Sequence, residues 1–126
     1  MKECLGIDWG EKRIGLAVGN DEIKIATPFK TVANLEELLK VIEEEEVDLL
    51  AIGNPQKMSG AAANNPDWLD FMARLEKKST CQLVLLDERL SSLAADALPG
   101  TKKTKASRDE IAATLILQSY FDKVAA

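Results

Sequence analysis

Four acidic residues are spaced so that separate elements could carry them to one place: Asp8, the pair Asp87 and Glu88, and Asp109. Carboxylates crowded together without cations repel one another. A divalent ion reverses that cost, because Mg²⁺ takes oxygen ligands and bridges protein carboxylates to phosphates. Two such ions can stabilise the attacking and leaving oxygens of a phosphodiester cleavage, and this chemistry needs no histidine. The chain has none. Its absence excludes a Ser-His-Asp triad, a Cys-His pair and any zinc site built on imidazole. Cys4 and Cys81 are too few for a four-cysteine site and read as buried thiols in a reducing cytosol. Each acid alone also has a plainer reading: Asp8 as a turn former, Asp87 and Glu88 as a helix cap, Asp109 as a first-turn acid favoured by the helix dipole.

The elements that must position these acids follow from periodicity. Glu3–Trp9 and Arg13–Gly19 read as strands joined by a Gly10-Glu11-Lys12 turn, the spacing of a β-hairpin. Alternation of Ile23 and Ile25 with Glu22 and Lys24 predicts a third strand over Glu22–Thr27, which completes an antiparallel meander. Asn34 and Glu37 form a capping box for a helix with Leu35, Leu38, Leu39 and Ile42 on one stripe and Glu43–Glu46 as its solvated end. Val47–Gly53 reads as a fourth strand. Asn65-Pro66 opens a second helix whose Trp68, Phe71, Met72 and Leu75 face the core. Cys81–Leu86 reads as a fifth strand and Leu90–Leu98 as a short helix stopped by Pro99-Gly100. After a basic loop to Ala106, Ser107 and Glu110 cap a last helix running to about Val124.

Strands joined through a helix run parallel, so strands one, four and five point the same way. The expected architecture is an α/β fold with strand order 3-2-1-4-5 and strand two antiparallel. Its C-terminal edge, where open α/β sheets bind ligands, receives Asp8, Asp87-Glu88, Asp109 and the Gly53–Lys57 segment. Asp8 should share a face with Gly6, leaving space for a ligand. Ala112 and Ala113 should let the last helix approach the sheet. Strand five lies two steps from strand one, about 10 Å away, which argues against a Cys4–Cys81 disulfide.

A chain of 126 residues is expected to form one domain, residues 1–126. No apolar run is long enough to cross a bilayer, and no signal-peptide core opens the sequence, so the expected location is the cytoplasm. The net charge of −5 is unevenly spread. Seven acids and one base lie between Asn34 and Asp48, whereas the other residues carry 14 acids and 15 bases. Lys102, Lys103, Lys105 and Arg108 form a basic arm without an acid between Leu98 and Arg108. An acidic face and a basic arm are compatible with a nucleic-acid partner at the arm.

These motifs resemble one family. Leu5-Gly6-Ile7-Asp8-Trp9-Gly10 with Arg13-Ile14-Gly15-Leu16-Ala17 resembles the D-x-G-x-x-R-x-G-x-A opening of the YqgF family, bacterial RNase H-like nucleases also called Holliday-junction-resolvase-like proteins. Gly53-Asn54-Pro55 followed by Met58-Ser59-Gly60 is similar to its G-x-P-x-x-x-x-G loop. Asp87-Glu88-Arg89-Leu90-Ser91-Ser92 is similar to its D-E-R-L-T-T motif, and Asp109–Ala113 with Leu115–Tyr120 to its C-terminal signature. The resemblance implies an RNase H-like fold and a nuclease maturing the 5′ end of 16S ribosomal RNA, with junction cleavage proposed for relatives. It implies Asp8, Glu88 and Asp109 as catalytic, metal-binding acids for Mg²⁺ or Mn²⁺, with Asp87 as a fourth candidate ligand.

Arg13 and Arg89 could bind phosphate or pair with neighbouring acids, and sequence does not separate these. Lys57, Lys102, Lys103 and Lys105 would follow the nucleic-acid backbone. Expected partners are precursor rRNA or branched DNA, with ribosomal particles and no membrane, for a monomer or weak dimer. The alternatives are a non-catalytic RNA-binding assembly module, a nucleotide-binding domain and a dimeric DNA junction resolvase.

Overall fold

In the computed structural model, β1 (Glu3–Trp9) and β2 (Ile14–Asn20) form the expected hairpin, paired antiparallel from Glu3↔Asn20 to Trp9↔Ile14. The structure describes residues 2–10, 12–54, 66–87 and 108–125. β4 (Leu49–Asn54) lies parallel to β1, and β5 (Gln82–Asp87) parallel to β4. The sheet order is β3-β2-β1-β4-β5, as expected from the sequence. The described helices are α1 (Leu35–Glu44), α2 (Pro66–Lys78) and α3 (Arg108–Ala125). The expected Leu90–Leu98 helix, the basic loop and the Ser107 cap lie outside the described residues.

The third strand corrects the alternation argument. β3 spans Thr27–Val32 rather than Glu22–Thr27. Asn20 is the reason. Its Oδ1 accepts hydrogen bonds from the amides of Glu22 (3.1 Å) and Ile23 (2.8 Å), and its carbonyl accepts from the Lys24 amide at 2.9 Å. An asparagine side chain thus holds the chain in a turn that outcompetes extended pairing. Ile23 and Ile25 end up 63% and 59% exposed. Pro28 falls inside β3, where an edge position spares it the ladder bond that it cannot donate.

α1 begins as its caps dictate. The Glu37 amide donates to Asn34 Oδ1 at 3.0 Å, and the Glu37 carboxylate accepts from the Ala33 amide at 3.2 Å. Its buried face is Leu35, Leu38 and Val41; Leu39 and Ile42 of the expected stripe are only partly covered. At its end the Val47 amide donates to the Ile42 carbonyl, with Glu46 left-handed at φ 52°. That is a Schellman stop whose usual glycine position is filled by glutamate.

The two faces of the sheet carry separate cores, set by the two-residue period of a strand. Leu5, Ile7, Ile14, Leu16, Leu50 and Ile52 pack with side chains of α1 and α2. On the other face Cys4, Ala17, Leu49, Ala51 and Leu86 pack with Ala113, Ile116, Leu117 and Phe121 of α3. Small residues let α3 sit low on this face. Gly6 was expected to leave room for a ligand, and α3 takes that room instead. A β-carbon on Gly6 would lie 2.5 Å from the Ala113 carbonyl oxygen and 2.8 Å from Leu117 Cβ.

Cys4 is buried and free, and Cys81 is free and partly buried just before β5, its thiol donating to the Val47 carbonyl at 3.0 Å. Among the described residues no helix is long and apolar enough to cross a membrane.

Candidate active site

Strand parity places the first acid. Cys4 packs on the α3 face of β1, and Gly6 abuts α3; Leu5 and Ile7 belong to the opposite core. Asp8 therefore lies on the α3 face, at the C-terminal end of β1. Its cross-strand partner is Gly15. Residues directly opposed in an antiparallel ladder project to the same face, with Cα atoms about 5 Å apart.

Asp109 descends onto that same glycine. It is the second residue of α3, and a β-carbon on Gly15 would collide with the Asp109 backbone carbonyl and lie 2.7 Å from Asp109 Cβ. Gly15 is thus the common neighbour of both acids. Only a residue without a side chain lets the start of α3 rest on β2 beside Asp8.

Two polar links fix the register of α3. Thr31 Oγ1 of β3 donates to Glu110 Oε2 at 2.8 Å. Gln118 Oε1 accepts the Ala26 amide at 2.9 Å, and its Nε2 donates to the Lys24 carbonyl at 3.1 Å. The first link sits one residue from Asp109, so the position of that carboxylate is tied to β3 as well as β2.

Of the two kinds of partner left open for Arg13, the structure shows a carboxylate. Its Nε donates to Asp109 Oδ2 at 2.9 Å, with the Arg13 side chain 69% exposed and that of Asp109 32% exposed. Asp109 thus pairs with Arg13 and, like Asp8, borders Gly15. The backbone of Asp87 closes β5 opposite Asn54, at the rim where β1 ends. Glu88, Arg89, Lys57, Lys102, Lys103 and Lys105 lie outside the described residues. Sequence reasoning missed Gly15 and the Thr31–Glu110 link. The signal for Gly15 was available: a hairpin closing on Trp9 and Ile14 must pair Asp8 with it.

What can this corner hold? Among the described residues no group of three potential ligands is assembled. The two carboxylates flanking Gly15 are hard oxygen donors, the type that Mg²⁺ and Mn²⁺ prefer. Cys4 occupies the far end of β1. Burial first, then the charges of Asp21, Glu3 and Asp48, pushes its thiol up to about 11, which makes it a poor nucleophile at neutral pH.

The family model RuvX, described as Holliday junction resolvase, matches residues 2–123. The chain belongs to this family. A Chlamydia trachomatis protein named "Putative pre-16S rRNA nuclease" is 35% identical over 94% of this chain and 90% of its own length. Proteins of the same name from Nitrosospira multiformis and a Geobacillus species are 36% and 34% identical, over 87% and 96% of their lengths. Among solved structures, T. thermophilus RuvC in complex with Holliday junction substrate aligns over all of this chain and 97% of its own, with a TM-score of 0.65 at 14% identity. The Fowlpox virus resolvase in complex with Holliday junction DNA aligns with a TM-score of 0.59 at 10% identity. These likenesses show the fold, which is RNase H-like. The family description and the names of these relatives are those of nucleases.

Proposed function

We propose that this RuvX-family chain is an endonuclease working with Mg²⁺ or Mn²⁺ in the cytoplasm, as a single domain, to process the 5′ end of precursor 16S rRNA. The observation that carries the proposal is the meeting of Asp8 and Asp109 on either side of Gly15, at the C-terminal rim of the sheet. The names of relatives about 35% identical over nearly their whole lengths supply the substrate.

Asp8, Glu88 and Asp109 would hold the ion, with Asp87 as a further ligand. A divalent ion bound there supplies positive charge to the scissile phosphate and lowers the pKa of water. Asp8 and Asp109 come from a strand and a helix each packed in the core, so the backbone that carries them is held in place before substrate arrives. Lys57, Arg89, Lys102, Lys103 and Lys105 would follow the phosphate backbone, giving affinity that falls with salt and reads little sequence.

The test is cleavage of a precursor rRNA fragment by wild type and by Asp8→Asn, with Mg²⁺ or Mn²⁺ present. The variant keeps size and shape while losing a charged ligand, and its rate should fall about 10²-fold or more. Undiminished cleavage contradicts the assignment. The family description and the two solved complexes favour a second reading, cleavage of branched DNA. Symmetric cutting of a four-way junction needs a two-fold dimer. A monomer by sedimentation that cuts rRNA but not a junction would set this reading aside.

A further inference from the structure

Arg13 already occupies one oxygen of a carboxylate that the proposed ion would need. Its Nε sits 2.9 Å from Asp109 Oδ2, an ion pair made through a single nitrogen by a side chain that is 69% exposed. Exposed pairs of this kind are weak, because water screens the attraction and a long side chain must be held still. A divalent ion brings twice the charge and engages Asp8 and Asp109 together. It therefore outcompetes the guanidinium at the shared oxygen.

We infer that Arg13 is a positioning residue that exchanges places with the divalent ion. Without the ion it neutralises Asp109 and limits the mutual repulsion of the acids around Gly15. When the ion enters, the guanidinium is released at the same rim, still tethered by the strand that follows at Ile14. A released guanidinium is a rigid fork of donors that matches a phosphate, so the exchange makes a backbone-gripping group available only once the site is loaded. Ion binding and nucleic-acid binding then favour each other, and the coupling is reciprocal.

This inference rests on the proposed ion site, and the experiment keeps the two apart. Mn²⁺ affinity is measured by calorimetry without nucleic acid, for wild type, Arg13→Gln, Arg13→Lys and Asp8→Asn. Far-UV circular dichroism confirms that each variant is folded. The exchange predicts that Arg13→Gln binds Mn²⁺ about two- to fivefold more tightly than wild type, the range expected on removing a competing exposed pair. Arg13→Lys, which keeps a cation, should stay near wild type, and Asp8→Asn should bind far more weakly. Equal or weaker Mn²⁺ binding by Arg13→Gln, with Asp8→Asn still impaired, overturns the exchange alone. Mn²⁺ binding that is absent from wild type, or unaffected by Asp8→Asn, overturns the ion site and the exchange with it.

Discussion

Gly15 has no functional group, yet the placement of Asp8 beside Asp109 depends on it. It faces Asp8 across the hairpin and lies under the first turn of α3, where a β-carbon would run into the Asp109 backbone. Backbone cannot step aside as the end of a flexible side chain can. Gly15→Ala should therefore lift the start of α3 and destabilise the protein by at least about 2 kcal/mol, read from urea unfolding. Because Asp109 moves with that turn, Mn²⁺ affinity should fall as well. Stability and Mn²⁺ binding that both match wild type would show that α3 does not rest on β2 as described. Residue types alone singled out Asp8 and Asp109 as candidates, but not this glycine. Its importance comes from a three-way meeting of β1, β2 and α3 that no local pattern encodes. The carboxylate partner of Arg13 was equally hidden, since a guanidinium pairs with phosphate and carboxylate alike.

Among the elements, helices with complete local signals were the most legible. Asn34 and Glu37 start α1 where the capping pattern places it, because the cap bonds span only a few residues. β3 was misplaced for the opposite reason. Alternating isoleucines look like a strand, but one Asn20 side chain binds two amides and turns the chain before pairing can begin. The end of α1 shows a local conflict of another kind. Glu46 adopts φ 52°, a conformation that costs an L-residue with a β-carbon and suits glycine. Glu46→Gly should raise stability by about 0.5–1 kcal/mol in urea or thermal unfolding, without altering nuclease rate. A loss of stability would mean that the glutamate side chain makes a contact outweighing the backbone cost.

Across the whole molecule, topology was legible where site assembly was only partly so. Short connections force the hairpin, helical crossovers make β1, β4 and β5 parallel, and the tendency of sequential strands to be neighbours then favours the order β3-β2-β1-β4-β5. The same rules bring the ends of β1, β4 and β5 to one rim. They do not say how far α3 approaches it, which depends on the small residues Gly6, Gly15 and Ala113. The molecule is also polarised. Glu43, Glu44, Glu45 and Glu46 gather at the end of α1, beside the start of β4 and far along the sheet from Asp8. The acidic end would repel an anionic substrate, leaving the corner of Asp8 and Asp109 at the other end as the proposed place for an ion. That corner is where the proposed nuclease chemistry would take place. Its most direct measurement is an anomalous difference map from crystals soaked in Mn²⁺. A peak in contact with the carboxylates of both Asp8 and Asp109 is the predicted result; a map with no ion between them, or with Mn²⁺ bound only elsewhere, contradicts it.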